Sequence, residues 1–486
     1  MEAKKNSWTS ALFAYAGGEK KRLALSVVLS VLSVMLGLVP FYCMYALICL
    51  FVAGTATAAL AVRWCLLALL AYAVKILLFS LSTGTSHAMA YTILEGLRLR
   101  LADRFLHAPL GNVENHTIGE IKSMMVDKIE NLEPPLAHMI PEGAGHVVLP
   151  VVSIIALLCI DWRLALASKG TITAPEAALA VMLSISMVGS LAKLEVFSEN
   201  MRQVKFTVEN LEEFLEMPEL PQPEKRADIR HTDVVLRNVR FSYTGEEQDE
   251  VLHGIDMTLP EGSFTALVGP SGGGKSTVAK LIARFWDVTS GAITIGGVNV
   301  KDMPLSQLSE YVSFVTQDNF LFRCSLLENI RLGNPNATDE EVKAAARAAQ
   351  CEEFISKLPQ GYDTPAGEAG KRLSGGEKQR IAIARMMLKY APIVILDEAT
   401  AFTDPENEDK IQRSIAALTR GKTLLVIAHR LSTIKNADNI VVSKNGAIVA
   451  QGTQAQLLEK CPLYQDMWRS HIGAKNWAVS TAAKEA

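Results

Sequence analysis

The run Gly269-Pro270-Ser271-Gly272-Gly273-Gly274-Lys275-Ser276-Thr277 decides the fold of the second half of this chain. An apolar segment, Phe264–Val268, precedes it, and a helical pattern at 278–283 follows. A strand, a glycine-rich turn and a helix in this order are typical of a phosphate-binding loop. The glycines let successive backbone N–H groups point at one centre, and the helix adds its positive end. Lys275 is placed to reach the β- and γ-phosphates, and the Ser276 hydroxyl to bind Mg²⁺.

The composition changes along the chain, whose 486 residues are too many for one ordinary domain. Apolar residues make up 49% and charged residues 20%, but charges are sparse before about residue 195 and frequent after it. This asymmetry predicts a membrane part followed by a water-soluble part. The net charge of −3 gives no basic signal, so we expect no nucleic acid partner. The seven cysteines include no Cys-x-x-Cys pair, which argues against a zinc site or a disulfide framework.

Four apolar segments predict four membrane spans. Residues 23–62 carry no formal charge, which is enough for one span, a turn and the start of a second span. We place the spans at about 23–50, 58–82, 143–160 and 177–192. The basic residues at 20–22 put the start of the first span on the cytoplasmic side. An even number of spans then returns the chain to the cytoplasm, where ATP is available.

Two residues inside the first two spans need particular surroundings. Pro40 can kink the first span if neighbouring helices satisfy the freed backbone groups. Lys75 lies deep in the second span, where a charge is costly, so it faces a wet cavity, pairs with another group or contacts substrate. Apolar residues then recur every four positions from Ile93 to Phe105, which predicts a helix that continues past the bilayer.

Strand patterns at 234–236 and 239–243 open the soluble part. The proline-rich residues 217–223 before them mark the best domain boundary. Tyr243 closes the second pattern, 26 residues before Gly269. Its ring could stack on an adenine base or could serve ordinary packing of a sheet.

Two acidic residues, Asp397 and Glu398, end a continuous apolar run that begins at Ile393. Such a run is typical of a buried parallel strand, and ligands bind at the carboxyl ends of these strands. Asp397 suits the Mg²⁺ shell, and Glu398 could polarise a water in line with the γ-phosphate. Gln317 and His429 also follow strand patterns, but a single Gln or His in such a place is more often structural.

A second anion-binding pattern opens another helix. It consists of Leu373, Ser374, Gly375, Gly376 and Glu377. Ser-Gly-Gly at a helix start leaves N–H groups directed outward, as the glycine-rich loop does. A chain with two such sites and a single Gly-Lys-Ser needs either two nucleotides or two chains that share the sites.

In this order, the elements resemble the nucleotide-binding domain of ATP-binding cassette (ABC) transporters. The matching elements are Tyr243, the loop 269–277, Gln317, the signature 373–377, Asp397-Glu398, Asp404 and His429. The resemblance implies a transport-coupled P-loop ATPase that binds ATP through Tyr243 and the loop. It also implies that two such domains pair head to tail, so that each ATP lies between the loop of one chain and Ser374-Gly375-Gly376 of the other.

The resemblance implies a role for each remaining residue. Glu398 would be the general base, and His429 would sense the γ-phosphate. Gln317 would link Mg²⁺ to the membrane part and bind the ion together with Ser276 and Asp397. Asp404 belongs to the D-loop that couples the two sites across the dimer. The family commonly has Ser-Ala-Leu-Asp there, and this chain has Ala401-Phe402-Thr403-Asp404, which keeps the aspartate.

The membrane part resembles the exporter-type domain but departs from it in length, because the family usually has six spans. Residues 161–166 resemble the start of the fourth span, and 169–173 resemble the outer turn before the sixth. Most of spans four and five, with the second cytoplasmic loop, is therefore expected to be missing. In the family that loop docks on the partner's ATPase domain, so the departure bears on transport and leaves ATP binding untouched.

These observations combine into one prediction of architecture. We expect an N-terminal all-α transmembrane domain at 1–216, with about four spans, exporter-like with two spans missing. A linker at 217–230, an α/β P-loop ATP-binding cassette at 231–470 and a C-terminal tail at 471–486 follow. The protein is expected in a bacterial cytoplasmic (inner) membrane, with the cassette in the cytoplasm and with ATP and Mg²⁺ as cofactors.

The predicted function is that of a half-transporter subunit that hydrolyses ATP and pairs with a second half-transporter, as a homodimer or a heterodimer. Its unknown substrate would be lipophilic, peptide or siderophore-like, and the direction of transport stays open because the exporter fold also occurs in uptake systems. The alternative is a membrane-anchored ABC ATPase or truncated regulatory subunit that binds ATP without transporting.

Overall fold

The computed structural model describes residues 8–160, 173–316, 319–397, 415, 421–428 and 431–470. The chain divides into two units. The first unit consists of Met1–Ala108 and Val113–Glu219, and the second of Pro109–Asn112 and Leu220–Ala486. The first is helical throughout its described part, and the second combines helices with two sheets.

Long helices dominate the first unit. The long helices are α2 (Lys20–Leu36), α3 (Val39–Val52), α4 (Ala58–His107), α7 (Ile140–Ile160) and α8 (Ala174–Leu215), and the short ones are α1 (Trp8–Tyr15), α5 (Leu110–Glu114, whose first three residues belong to the second unit) and α6 (Ile118–Ser123). Two π-helical turns, Met124–Lys128 and Pro135–Met139, lie between α6 and α7. Within the described residues, four helical segments are long and apolar enough to cross a membrane: Gly17–Val52, Ala58–His107, Pro135–Leu158 and Ala174–Leu215. The prediction of four long apolar helices is confirmed.

The first predicted span is one helical segment with a break inside it, and the break lies at residues 37–38, just before Pro40, where a kink was predicted. Helix α2 ends at Leu36, and α3 begins at Val39 with Pro40 in its first turn. Proline is tolerated there because the N–H it lacks would have no helical partner. The break also admits Lys75, whose Nζ would lie 3.3 Å from a Cβ added at Gly37. The side chain of Lys75 lines a cavity of about 600 Å³. This agrees with the first of its three predicted surroundings, in which the lysine faces a cavity.

Helix α4 shows why a single element can serve both membrane and cytoplasm. Its 50 residues extend about 75 Å at 1.5 Å per residue, against a hydrocarbon core of about 30 Å. Large apolar side chains such as Leu66 and Leu69 are exposed in its first half, as contact with lipid requires. In its second half the predicted i, i+4 stripe, which includes Leu97 and Leu101, is buried in a helical core.

The second unit contains two sheets. One is antiparallel, in the order β2 (Glu250–Leu259), β1 (Val234–Ser242), β4 (Ser290–Ile295) and β5 (Val298–Asn299). The other has the order β10 (Ala447–Gly452), β9 (Asn439–Lys444), β3 (Phe264–Val268), β8 (Thr423–Ile427), β7 (Ile393–Asp397) and β6 (Val312–Val315). Strands β9, β3, β8, β7 and β6 are parallel, and β10 is antiparallel to β9.

Helices surround the parallel sheet. They are α9 (Lys275–Ile282), α10 (Leu305–Tyr311), α11 (Leu326–Arg331), α12 (Asp339–Ala348), α13 (Glu352–Ile355), α14 (Gly375–Lys389) and α15 (Gln454–Lys460). Every residue of β7 and β8 is buried, because both faces of these strands are covered by apolar side chains. The two strand patterns at 234–236 and 239–243 prove to be one strand. Asn238, with φ of 44°, introduces a bulge between them.

A buried arginine ties the chain that enters the second unit to the helix of the glycine-rich loop. The side chain of Arg284, just after α9, is 0% exposed. It donates hydrogen bonds to Asp287 Oδ1 at 2.9 Å, to the Met303 carbonyl at 3.0 Å and to the Pro221 carbonyl at 2.7 Å. The guanidinium therefore fixes three chain segments around one buried charge.

We predict that Arg284→Met destabilises the second unit by about 3 kcal/mol, since removing one partner of a buried ion pair leaves the other unpaired. For a domain of this size, that loss corresponds to a fall of roughly 6–12 °C in the unfolding midpoint. The measurement is thermal unfolding of the purified chain in detergent. Arg230→Met is the matched control, because the Arg230 side chain is 85% exposed. Equal midpoints for the two variants would contradict the structural role of Arg284.

Candidate nucleotide-binding site

The glycine-rich loop connects β3 to α9 with a backbone that requires glycine at defined positions. Gly274 has φ of 82°, and a Cβ on it would lie 2.5 Å from Leu252 Cδ2. A Cβ on Gly269 would lie 2.0 Å from the Ser443 carbonyl oxygen of β9. The backbone oxygen of Ser443 excludes a side chain at Gly269, and the left-handed φ favours glycine at Gly274. The chain can therefore curl closely at the amino end of α9, where unsatisfied N–H groups favour an anion.

Lys275 occupies the inside of this curl. Lys275 is only 6% exposed. Its Nζ donates hydrogen bonds to the carbonyl oxygens of Gly269 at 3.0 Å and Pro270 at 2.9 Å. The loop carbonyls thus hold the ammonium group beside the N–H groups that would bind phosphate. A fixed positive charge at this place fits a polyphosphate ligand.

Ser276 and Asp397 are brought together, although 121 positions separate them in the sequence. The Ser276 hydroxyl donates to Asp397 Oδ1 at 3.2 Å, and Asp397 is 8% exposed. The contact arises because β3 and β7 are parallel strands separated only by β8, so their carboxyl ends meet at one edge. Hydroxyl and carboxylate oxygens are the protein ligands that suit Mg²⁺ beside a nucleotide, so these residues fit the predicted ion.

Tyr243 lies against the same loop. Its hydroxyl is 2.8 Å from Thr277 Oγ1, and the residue is 49% exposed. The ring packs edge-on against Trp286, with 5.1 Å between the ring centroids. Its hydroxyl fixes the orientation of the ring, half of the residue stays exposed beside the loop, and stacking on an adenine base stays a prediction.

Sequence reasoning missed Trp286. Its ring contacts Tyr243, and its Nε1 donates to Asn112 Oδ1 at 2.7 Å within the second unit. A Cβ on Gly111 would lie 1.8 Å from the Trp286 ring, so only glycine allows this approach. The one available signal was the aromatic pair Phe285-Trp286 directly after the loop helix, and such a pair is usually ordinary core.

The signature residues form the start of α14. Ser374 is the N-cap, and its Oγ accepts from the Glu377 N–H at 3.3 Å. The Ser374 N–H donates in return to Glu377 Oε2 at 2.7 Å, which completes a capping box. Ser374 and Gly375 are exposed, whereas Gly376 is buried and Leu373 packs on the cassette core. The polar start of α14 therefore faces outward on a well-anchored helix.

Four predicted residues, Gln317, Glu398, Asp404 and His429, lie outside the described residues. The strands that precede three of them are described: β6, β7 and β8 run parallel to β3. Their carboxyl ends share the edge that carries the glycine-rich loop. The assigned roles of these four residues stay predictions.

Comparison with known families agrees with this geometry. A model of the ABC transporter transmembrane region matches residues 23–204, and a model of the ABC transporter matches residues 252–401. Together the two ranges cover more than half of the chain. The chain belongs to the ABC transporter family. Its architecture is that of an exporter-type half-transporter, with the helical membrane domain fused ahead of an ABC-type ATPase cassette, as the sequence predicted.

Relatives match about half of the chain. Over 241 residues the chain is 48% identical to a putative multidrug export ATP-binding/permease protein of Staphylococcus aureus strain NCTC 8325, and 47% identical to that of the bovine strain RF122. The aligned part makes up 50% of this chain and 42% of each relative. The chain thus spans less than half the length of these relatives.

A solved structure supports the fold over a greater length. It is described as a bacterial Atm1-family ABC exporter with ATP bound. The TM-score is 0.69 at 24% identity, and the superposition covers 93% of this chain and 98% of the other. The predicted absence of most of two spans near 161–172 falls on residues outside the described part and stays a prediction.

We predict that Gly274→Ala weakens ATP binding by roughly tenfold or more, which corresponds to about 1.4 kcal/mol. The added methyl group meets Leu252 and the residue must keep a left-handed conformation. Gly262→Ala is the control, because Gly262 also has positive φ, at 73°, but no atom lies within 4 Å of its added Cβ. The measurement is equilibrium binding of a fluorescent ATP analogue. Equal affinities for the two variants would contradict the steric argument.

Proposed function

We propose that this chain is an ATP-hydrolysing half-transporter subunit, which pairs with a second half-transporter to move a substrate across a bacterial cytoplasmic membrane. The observation that carries the proposal is the meeting of Lys275, Ser276 and Asp397 at one sheet edge. These three residues supply the cation, the hydroxyl and the carboxylate that a Mg²⁺–ATP site needs. The cassette would face the cytoplasm, where ATP is present.

Each residue of the site would have a distinct task. The loop N–H groups and Lys275 would bind and orient the phosphates, and Tyr243 would hold the base. Ser276 and Asp397, with Gln317, would hold Mg²⁺, which when bound neutralises charge on the β- and γ-phosphates. Glu398 would accept a proton from the attacking water, and His429 would contact the γ-phosphate.

The exposed start of α14 supports a site shared between two chains. Ser374 and Gly375 are exposed, and Ser374 exchanges capping hydrogen bonds with Glu377 of its own chain. If the signature of one chain covers ATP on another, each chain contributes half of two sites. Asp404 would then lie at the contact between the two cassettes.

Mixing two inactive variants tests this sharing. We predict that Lys275→Ala and Ser374→Arg are each inactive alone, and that co-expression restores ATPase activity to at least several per cent of the unmodified level. In a mixed dimer one composite site carries both changes and the other carries neither. The measurement is phosphate release by the purified mixed dimer, isolated through two different affinity tags.

Two chains that both carry Lys275→Ala and Ser374→Arg are the control, because no mixed dimer of them contains an intact site. Restored activity only in the first mixture supports sharing. No restoration, in a mixture shown by both tags to be dimeric, would contradict it.

A cavity in the first unit bears on the substrate. It measures about 600 Å³ and combines apolar side chains with four ionisable ones. The ionisable residues are Lys75, Glu142, His146 and Lys193. Such a lining suits an amphipathic molecule with a polar or charged end. The Staphylococcus relatives, which are described as putative multidrug export proteins, agree with a lipophilic substrate.

The alternative, a membrane-anchored ATPase that transports nothing, is favoured by one observation. Four helical segments of the described residues can cross a membrane, whereas the exporter-type family usually has six. A chain without the second cytoplasmic loop would lack a link between ATP binding and the membrane helices.

Transport in inverted vesicles distinguishes the two. We predict that inverted vesicles containing the reconstituted protein accumulate ethidium when ATP is added. Glu398→Gln should abolish both ATP turnover and ethidium accumulation, while ATP stays bound to the protein. The measurements are ethidium fluorescence, phosphate release and retained nucleotide on the same preparation. Turnover without movement of ethidium, or of a labelled peptide or ferric siderophore, would favour the non-transporting ATPase. Unchanged turnover in Glu398→Gln would contradict the choice of base.

A further inference from the structure

Two histidines and a glutamate from distant parts of the sequence meet in the first unit. His87 lies on α4, Glu133 lies just before the second π-helical turn, and His138 lies within that turn. One potential ligand atom from each residue lies within 4.8 Å of the other two. The imidazole rings of His87 and His138 are edge to face, with 4.7 Å between centroids. Nothing in the ATPase site uses these residues.

A second glutamate orients one of the histidines. His138 Nδ1 lies 2.8 Å from Glu142 Oε1, one helical turn further along. A carboxylate that holds one ring nitrogen leaves the other, Nε2, directed away from it. This pairing of carboxylate and histidine is the usual support of a metal-bound imidazole.

In the same cluster, one carboxylate oxygen of Glu133 has a hydrogen-bonding capacity that the described residues do not satisfy. Its Oε1 is buried from solvent and receives no well-directed hydrogen bond from the described residues. His87 Nδ1 is 2.7 Å from this oxygen, so the two groups are in contact without the alignment of a good hydrogen bond. A buried carboxylate oxygen in this state costs free energy unless a cation satisfies it.

The π-helical turn Pro135–Met139 explains how the three side chains converge. A π-turn inserts one extra residue into a helix and rotates the side chains that follow, and such turns are frequent at functional sites. Within the turn, Leu136 and Ala137 are buried and pack into the helical core. The packing of these two side chains therefore stabilises the π-helical turn.

We propose that His87, Glu133 and His138 form a binding site for a divalent transition-metal ion such as Zn²⁺, with Glu142 holding the ring of His138. Two imidazoles and a carboxylate are a ligand set that Zn²⁺ and its neighbours prefer. Small side-chain rotations bring donors within 4.8 Å to the usual metal–ligand distances of about 2.0–2.2 Å.

The position of the cluster makes it reachable from water. His87 follows the start of α4 by 29 residues, which is about 43 Å along the helix at 1.5 Å per residue. If α4 enters a hydrocarbon core of about 30 Å at its first turn, the cluster lies beyond that core, on the side that the basic residues assign to the cytoplasm. A bound ion would join α4 to the π-helical turn that leads into α7.

Metal binding by the full chain in detergent tests the proposal without reference to ATP turnover. Thiols are first blocked with N-ethylmaleimide, so that cysteines do not bind the probe, and metal is removed with a chelator. Co²⁺ is then titrated, and Zn²⁺ is measured by elemental analysis after dialysis. We expect about one ion per chain at micromolar metal, with the visible absorption of low-symmetry, four- or five-coordinate Co²⁺, and Zn²⁺ should displace Co²⁺.

Single substitutions test which side chains bind the metal ion. His87→Ala and His138→Ala should each weaken Zn²⁺ binding by more than tenfold, and Glu142→Gln should weaken it by roughly 10–100-fold, as supporting carboxylates do. His146→Ala is the matched control on α7, since His146 contacts Ser190 and not the cluster; it should leave binding unchanged. His138→Cys, made in a chain whose native cysteines are replaced by serine, should restore an ion and add a sulfur-to-Co²⁺ charge-transfer band.

Three results would overturn the proposal. One is no stoichiometric ion on the unmodified chain at micromolar metal. The second is unchanged binding in a His87→Ala, His138→Ala double variant, which would place the ion elsewhere. The third is equal loss in His146→Ala, which would indicate a general structural effect; thermal unfolding of every variant shows which of them fold.

Discussion

The parallel packing of β3, β8 and β7 is the constraint on which the candidate ATPase site depends. Hydrogen bonds between these strands fix their register, so Gly269 and Asp397 emerge at the same edge. Without this register, Ser276 and Asp397 could not approach to 3.2 Å. The strands contribute no chemistry themselves. Their fully buried side chains keep the edge rigid, and the rigidity holds a loop whose own backbone is irregular.

The glycine-rich loop and the membrane unit bring polar or charged groups together through different features of the backbone. In the loop, close backbone approach replaces side chains, as the short distances to a Cβ at Gly269 and Gly274 demonstrate. In the membrane unit, the backbone stays helical, and polar groups are brought together by a break at Gly37 and by π-helical turns. Both devices place charged groups in confined surroundings, where their interactions are less screened than in water.

Much of the architecture could be predicted because long apolar runs and glycine spacing are local properties. Four apolar segments gave four long helices, and the strand before Gly269 is β3. Other features were out of reach. The merging of two strand patterns into β1 depends on a bulge at Asn238, and the position of Trp286 beside Tyr243 depends on packing between segments distant in sequence. No local pattern encodes such a contact.

The sequence by itself determined the family and the order of the two domains and predicted a set of nucleotide-binding residues, because each follows from residue type at a fixed local spacing. Only the tertiary structure decided which of these residues meet. The contact of Ser276 with Asp397 and the cluster of His87, Glu133 and His138 both join residues far apart in the chain. Strand register and helix packing place them, and those are set by the burial of many side chains at once rather than by any short motif.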